Sequence, residues 1–428
     1  MQRVTAAARQ HPAAADGGLS IPPHLQRFLV RQPILDGHYH LAGYELALRE
    51  RVPVPALPGA QCLQQMRDEM LLTSVIDMAY QQALGDRLTF LAVTTDTLMN
   101  PMLAELSSDR IVLSVDGAAP IPAAEPLQAA FAQGGITLAL DDPPLRSEIA
   151  PLLRHCRYVR LDVTRHDVPN LIEQVRALRS SSKARLIARN VDTEEAFEAC
   201  RKLQFDLFQG YYFTCLQPSF RNRIDSSRQR IMDLLNLVMT QAEASQIEAR
   251  FKTDAGLTYK LLRLINSPAF GLRGPVRSIG QALMLLGHDQ LYRWLTLLLF
   301  TQGPADPRGK ALLRHALIRA RFAETLGETR LPARERGGLF LVGILSTLDA
   351  LFNVPMAQAL SQLRLPDEIV AALTRREGLY APYLQLVLAC EQFDQERIAQ
   401  LAEMLGASPD EVNLAHVKAM IWAEGLDA

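Results

Sequence analysis

Three runs, Gly135-Ile136-Thr137-Leu138-Ala139-Leu140, Tyr158-Val159-Arg160-Leu161-Asp162-Val163 and Arg185-Leu186-Ile187-Ala188-Arg189, follow one another near the middle of the chain. Each is of strand length, rich in Val, Ile and Leu, and lacks the recurrence of a helix, which is the pattern of a strand buried on both faces. Between the second and third lies Leu171–Arg179, whose apolar residues do recur at helical spacing. Strand, helix, strand in that order implies parallel pairing. Working outward, runs of the same kind stand at residues 28–35 (FLVRQPIL), 44–48 (YELAL), 88–93 (LTFLAV), 110–115 (RIVLSV) and 207–213 (LFQGYYF), with amphipathic stretches at Leu63–Leu84 and Thr193–Leu203. About eight such strands point to a closed β/α (TIM-like) barrel over residues 27–218 rather than an open sheet.

Beyond Phe220 the strand pattern stops. Arg223–Gln241, Gly256–Ile265, Ile279–Leu286, Asp289–Phe300, Lys310–Gly327, Arg334–Leu345, Ala381–Phe393 and Gln395–Leu405 all read as helices. Ser408-Pro409-Asp410-Glu411 is a helix start, with a capping side chain, proline at the first helical position and a carboxylate at the third, and predicts a last helix to about Trp422. Pro218 ends the last strand, so the expected organisation is a flexible tail at 1–26, the barrel at 27–218 and an all-helical domain at 219–428.

Composition bounds the function. The 45 Lys+Arg against 46 Asp+Glu give no basic footprint for nucleic acid or for an anionic membrane. Five cysteines, none in a Cys-x-x-Cys pair, argue for reduced thiols over a disulfide framework or zinc finger. The most apolar run, Leu291–Phe300, is interrupted by Arg293 and falls short of the roughly 20 residues a membrane span needs. A cytoplasmic protein with no membrane span and no direct nucleic-acid partner is expected.

In a β/α barrel the chemistry sits where strands end at their C-terminal side. Those positions hold Glu45, Thr94, Ser114, Asp141, Asp142, Arg160, Asp162, Arg189 and Gln209. Adjacent carboxylates at a strand end suit a hard divalent cation, while Asp141-Asp142-Pro143-Pro144 can equally be a turn.

The order of these segments resembles the EAL-type cyclic di-GMP phosphodiesterase barrel. Arg31-Gln32-Pro33-Ile34 resembles that family's opening strand, Glu45-Leu46-Ala47-Leu48-Arg49 its signature segment, and Ala139-Leu140-Asp141-Asp142 its double-aspartate strand. Val159-Arg160-Leu161-Asp162 stands for its Lys-Ile-Asp, and Phe208-Gln209-Gly210-Tyr211 for its final strand. By this resemblance Glu45, Asp141, Asp142, Asp162 and Gln209 are retained, and Gln32 and Arg49 fall where the family contacts its dinucleotide. Thr94 replaces a metal-binding asparagine, Ser114 and Gly117 fall at two glutamates, Arg160 replaces a lysine and Arg189 another glutamate. Two metal ions need several carboxylates, and a guanidinium subtracts from that charge. The resemblance therefore implies a degenerate barrel without catalytic residues, metal or cofactor. Arg160 and Arg189 are expected to bridge Glu45 and the aspartates, with Arg189 emerging at the barrel mouth beside them.

The second half resembles the HDOD domain, a helical signalling module related to HD-type phosphohydrolases. The resemblance rests on Lys252–Gly271, with Leu257, Leu261, Leu264 and Ile265 on one helix face, and on Val276–Gly287 with its glycine stop. Gly343-Ile344-Leu345-Ser346-Thr347 stands where the related hydrolases have His-Asp, and His315 near an earlier histidine. His288-Asp289 reads as a helix start and His38 and His40 as solvent-facing. An EAL–HDOD chain of this kind implies a bacterial signalling role in cyclic di-GMP networks, such as motility or biofilm control. The expectation is a non-enzymatic protein acting through a protein partner. The alternatives are a cyclic di-GMP receptor using Arg49, Arg160, Arg189 and Gln209, and a working phosphodiesterase.

Overall fold

The computed structural model describes residues 27–50, 68–69, 71–72, 87–106, 110–119, 137–144, 153, 155–216, 225–267, 275–301 and 307–424. The expected tail at 1–26, most of Leu63–Leu84 and the junction at Gln217–Ser219 lie outside them.

Eight strands, β1 (Arg27–Asp36), β2 (Leu41–Glu50), β3 (Leu88–Ala92), β4 (Ile111–Asp116), β5 (Thr137–Asp141), β6 (Tyr158–Asp162), β7 (Arg185–Arg189) and β8 (Leu207–Gln209), close in sequence order into a barrel. Pairing is parallel from β2 to β8, but β1 runs antiparallel to both of its neighbours. The parallel pairing implied by the strand–helix–strand units holds for β2 to β8, and β1 departs from it. The turn between β1 and β2 is too short for a parallel crossover, which takes about a dozen residues. It is tied by the Asp36 carboxylate, which accepts from the backbone N–H of His38 and of His40. Helices α1 (Val168–Ser181) and α2 (Glu194–Lys202) start at Asp167 and Thr193, whose side chains accept from Asn170 N and Ala196 N.

Side chains two apart on a strand share a face, and this sets the barrel interior in layers. Ile34, Phe90, Val112, Ala139, Tyr158, Ile187 and Leu207 form one apolar cluster inside the barrel. Two residues nearer the mouth on each strand stand Gln32, Ser114, Asp141, Arg160, Arg189 and Gln209. The polar site thus rests on an apolar floor.

The rest is helical: α3 (Ser226–Met239), α4 (Ala244–Lys252), α5 (Ala255–Ile265), α6 (Ile279–Thr301), α7 (Pro307–Gly327), α8 (Ala333–Leu345), α9 (Leu348–Phe352), α10 (Met356–Leu360), α11 (Asp367–Thr374), α12 (Ala381–Gln392), α13 (Gln395–Met404) and α14 (Pro409–Glu424). Gly287, with φ of 68°, breaks α6 into two helical runs. At α14 the Ser408 hydroxyl accepts from Glu411 N while the Glu411 carboxylate accepts from Ser408 N, a reciprocal cap, and the helix runs on to Glu424. Helices α7 and α8 approach so closely that a Cβ on Gly343 would lie 2.3 Å from the Ala320 Cα.

The outer side of the β1–β2 hairpin is covered by this helical region. Leu29 N donates to Asn413 Oδ1 at 2.7 Å and Arg314 Nε to the Tyr44 hydroxyl at 3.0 Å. Arg308, buried, donates to the carbonyls of Phe213, Cys215 and Ala350, joining the segment after β8 to α7 and α9. One apolar core runs from the barrel shell into the helices.

Candidate functional site

Arg160 is the centre of the barrel mouth. Its side chain is fully buried, with Nε and Nη2 each 2.6 Å from the two carboxylate oxygens of Asp141 and Nη2 3.0 Å from Glu45 Oε1. Its guanidinium also stands 5.7 Å from the centre of the Phe90 ring on the floor below. Asp141 accepts further from the Ser114 hydroxyl and, at 3.0 Å, from Arg189 Nη1. Glu45 accepts from Gln209 Nε2, which lies 2.8 Å from Gln32 Oε1. Burial alone would raise the pKa of both Glu45 and Asp141, yet both are held below the usual carboxylate range because Arg160, helped by Arg189, outweighs it. Two carboxylates and two guanidiniums leave this layer without net charge.

The structure thus brings together Gln32, Glu45, Asp141, Arg160, Arg189 and Gln209. Arg189 reaches Asp141 alone of the three acids expected around it, and its side chain is 23% exposed at the rim. Asp142 departs from the layer: with φ of 43° it turns toward the loop after β6, where its carboxylate accepts from Asp162 N. Asp162 in turn accepts from the backbone and hydroxyl of Thr164. The Arg49 backbone pairs with Phe28 in the β1–β2 ladder, and its side chain lies outside the described residues. Thr94 donates with its N–H and its hydroxyl to the buried Asp68.

A pair of divalent ions does not fit these residues. Asp141 and Asp142 face different ways, Glu45 and Asp141 already surround a guanidinium, and among the described residues no group of three His, Cys, Asp or Glu side chains converges for a metal.

A second arginine-centred cluster lies in the helical region. Arg319 and His315, one turn apart on α7, face the buried Glu391 of α12. Arg319 donates to both Glu391 oxygens from Nε and Nη2, and from Nη1 to the Ser346 hydroxyl at 3.0 Å. His315 Nε2 stands 3.2 Å from Glu391 Oε1. Ser346 belongs to the Gly343–Thr347 segment, so this segment meets the cluster through that hydroxyl. Sequence reasoning singled out His315 and passed over Arg319 and Glu391. Their signal was a charge on the apolar face of a helix, as Glu391 follows Leu384 and Val387 at helical spacing.

Both clusters border one cleft of about 590 Å³ between the barrel mouth and the helices. Glu45, Arg189 and Tyr211 line it from the barrel, Arg319, Glu391 and Gln392 from the helical side.

Burial pushes His315 down to about 4 although Glu391 pulls it up, and burial with Arg31 pushes His416 to about 3. Both are therefore neutral in the fold and bind a proton more readily once unfolded. Their contribution is fully present above the unfolded value near 6.5 and is lost as pH falls from there toward 4. The urea midpoint is expected to be lower at pH 5 than at pH 7.5. A midpoint that holds or rises on acidification contradicts the neutral burial of these histidines.

Comparison with known proteins gives the HDOD domain at residues 224–372. The chain is 26% identical over 408 residues, 94% of its length and 93% of the other, to the cyclic di-GMP phosphodiesterase CdgJ of Vibrio cholerae serotype O1 (strain ATCC 39315 / El Tor Inaba N16961). It is 24% identical over 413 residues, 93% of its length and 98% of the other, to the uncharacterized protein YuxH of Bacillus subtilis (strain 168). Among solved structures it is similar to the PaMucR phosphodiesterase in complex with c-di-GMP, with TM-score 0.37, 17% identity and coverage of 44% of this chain and 95% of that one. It is also similar to the FimX EAL domain from Pseudomonas aeruginosa bound to c-di-GMP, with TM-score 0.34, 16% identity and coverage of 44% and 89%. The expectation that the chain is not an enzyme is corrected by the first relative, which matches it nearly end to end and is named a phosphodiesterase. Counting carboxylates at the mouth does not decide that question. Among the described residues no helix is long and apolar enough to cross a membrane.

Proposed function

We propose that the chain is a cyclic di-GMP-linked signalling protein whose barrel mouth binds the dinucleotide, the phosphates being met by arginine in place of metal ions. The observation that carries this is the pairing of Glu45 and Asp141 with Arg160 and Arg189, two guanidiniums that together cancel the acidic charge that would repel a phosphate. Arg189 supports it from the rim: one nitrogen is engaged by Asp141, while its buried Nε has no hydrogen-bond partner among the described residues. A cleft of 590 Å³ lies within the size of small-molecule sites, about 300–1,000 Å³.

Isothermal titration of the full chain with cyclic di-GMP tests this reading. Saturable binding is expected, weakened roughly tenfold or more in Arg189→Glu because a carboxylate replaces the rim cation. No heat up to millimolar nucleotide overturns it. That result would leave the second reading, a role exercised through protein contacts alone, which the exposed Tyr259, Met284 and Leu285 of the helical region favour. Turnover of the bound nucleotide is followed in the same samples, since binding at this mouth stands whether or not the ester is cleaved.

A further inference from the structure

The cleft has two walls of matching chemistry, one from each half of the chain. On the barrel side Glu45 and Asp141 are neutralised by Arg160 and Arg189, and on the helical side Glu391 is neutralised by Arg319. Three of the five N–H groups of Arg319 go to Glu391 and Ser346, which fixes the guanidinium plane at the cleft edge. Helix α12 stops there: Phe393 takes a left-handed backbone with φ of 58°, and the corner carries Gln392 and Phe393 into the lining. A large side chain in that conformation is uncommon and costs energy unless its surroundings require it. The corner therefore gives the helical wall an exposed amide, a ring and a fixed cation beside one another.

Resting on the reading of the barrel mouth as a cyclic dinucleotide site, we infer that the helical wall is the second half of that site. A cyclic dinucleotide has two phosphates and two bases related by a twofold axis. The barrel rim offers Arg189 to one phosphate, with the exposed Arg165 also in the lining, and the other half of the ligand faces α12. Arg319 and Gln392 meet its phosphate and base edge. Occupancy then ties the helical region to the barrel, so that the nucleotide is read by both halves of the chain at once.

The test is titration of the full chain with cyclic di-GMP in three variants. Gln392→Glu places a negative charge on the helical wall at an exposed helix end, where folding is not at risk. It is expected to weaken binding roughly tenfold by repulsion of the phosphate. Gln400→Glu puts the same charge on an exposed position outside the cleft lining and is expected to bind like the parent, since an exposed charge off the lining is screened by salt. Arg189→Glu reports the barrel wall. If Arg189→Glu weakens binding while Gln392→Glu leaves it unchanged, the site belongs to the barrel alone and the inference falls while the functional reading stands. Equal weakening by Gln392→Glu and Gln400→Glu also overturns it. If the unmodified chain does not bind, the functional reading itself fails.

Discussion

Arg160→Met is expected to lower the unfolding free energy by about 3–5 kcal/mol, because it strands two buried acids without their cation. Glu45 and Asp141 both lie within 3.0 Å of the guanidinium, and Arg189 reaches only Asp141. With the cation gone the acids face each other across a site of low polarity, and at least one must take up a proton. The pKa shifts give the pH signature. In the intact protein both carboxylates are held below their unfolded values, so their contribution is present above about pH 4.5 and lost below it. In Arg160→Met the sign reverses for these two acids, so acidification should lower its midpoint less than it lowers that of the parent. Adding Glu45→Gln and Asp141→Asn to Arg160→Met should recover much of the loss, since polar groups with partners replace stranded charges. Denaturant titrations at pH 4.5 and pH 7.5 read both effects. An unchanged midpoint in Arg160→Met would mean that the acids are solvated and the mouth open.

Arg319→Met is expected to have a loss of similar size, about 3–5 kcal/mol, for the same reason on the helical side. Glu391 is buried and takes three donor contacts from this one residue. Burial would raise its pKa, but Arg319 and then His315 hold it well below the usual range. Once Arg319 is removed, His315 is the nearest remaining partner, at 3.2 Å. Its imidazole should then gain a proton, and its pKa should rise from about 4 toward or above neutrality. Proton NMR of His315 follows that change directly. Arg319→Met combined with Glu391→Gln should return most of the stability and leave His315 neutral. A His315 pKa that stays near 4 in Arg319→Met would show that burial alone, and not the arginine, sets this cluster.

Much of the fold is legible in the sequence because it depends on local periodicity. Eight apolar runs became eight strands, and Ser408-Pro409-Asp410-Glu411 became a reciprocal cap, since each needs only neighbours along the chain. The antiparallel β1 was within reach of the same reasoning, as the short turn after Asp36 admits no crossover. So was the divergence of Asp141 and Asp142, because consecutive residues at a strand end face opposite ways. The composite cleft was not legible. Glu391 meets Arg319 across 72 positions and Arg160 meets Glu45 across 115, and no local pattern pairs them. Covering of the hairpin by α12 and α14 is likewise a tertiary fact. Chemical outcome is more remote still, since substitutions at a mouth change how it binds without fixing what becomes of the ligand.

The proposed function has arginine meeting the phosphates in place of metal ions. Its most direct test is calorimetric titration of the full chain with cyclic di-GMP in excess EDTA and again in millimolar Mg²⁺ or Mn²⁺. With Arg160 seated between Glu45 and Asp141, the dissociation constant is expected to agree between the two conditions within about twofold. Binding that appears only with the divalent ion would show that the carboxylates leave the guanidinium for metal, and would contradict the account.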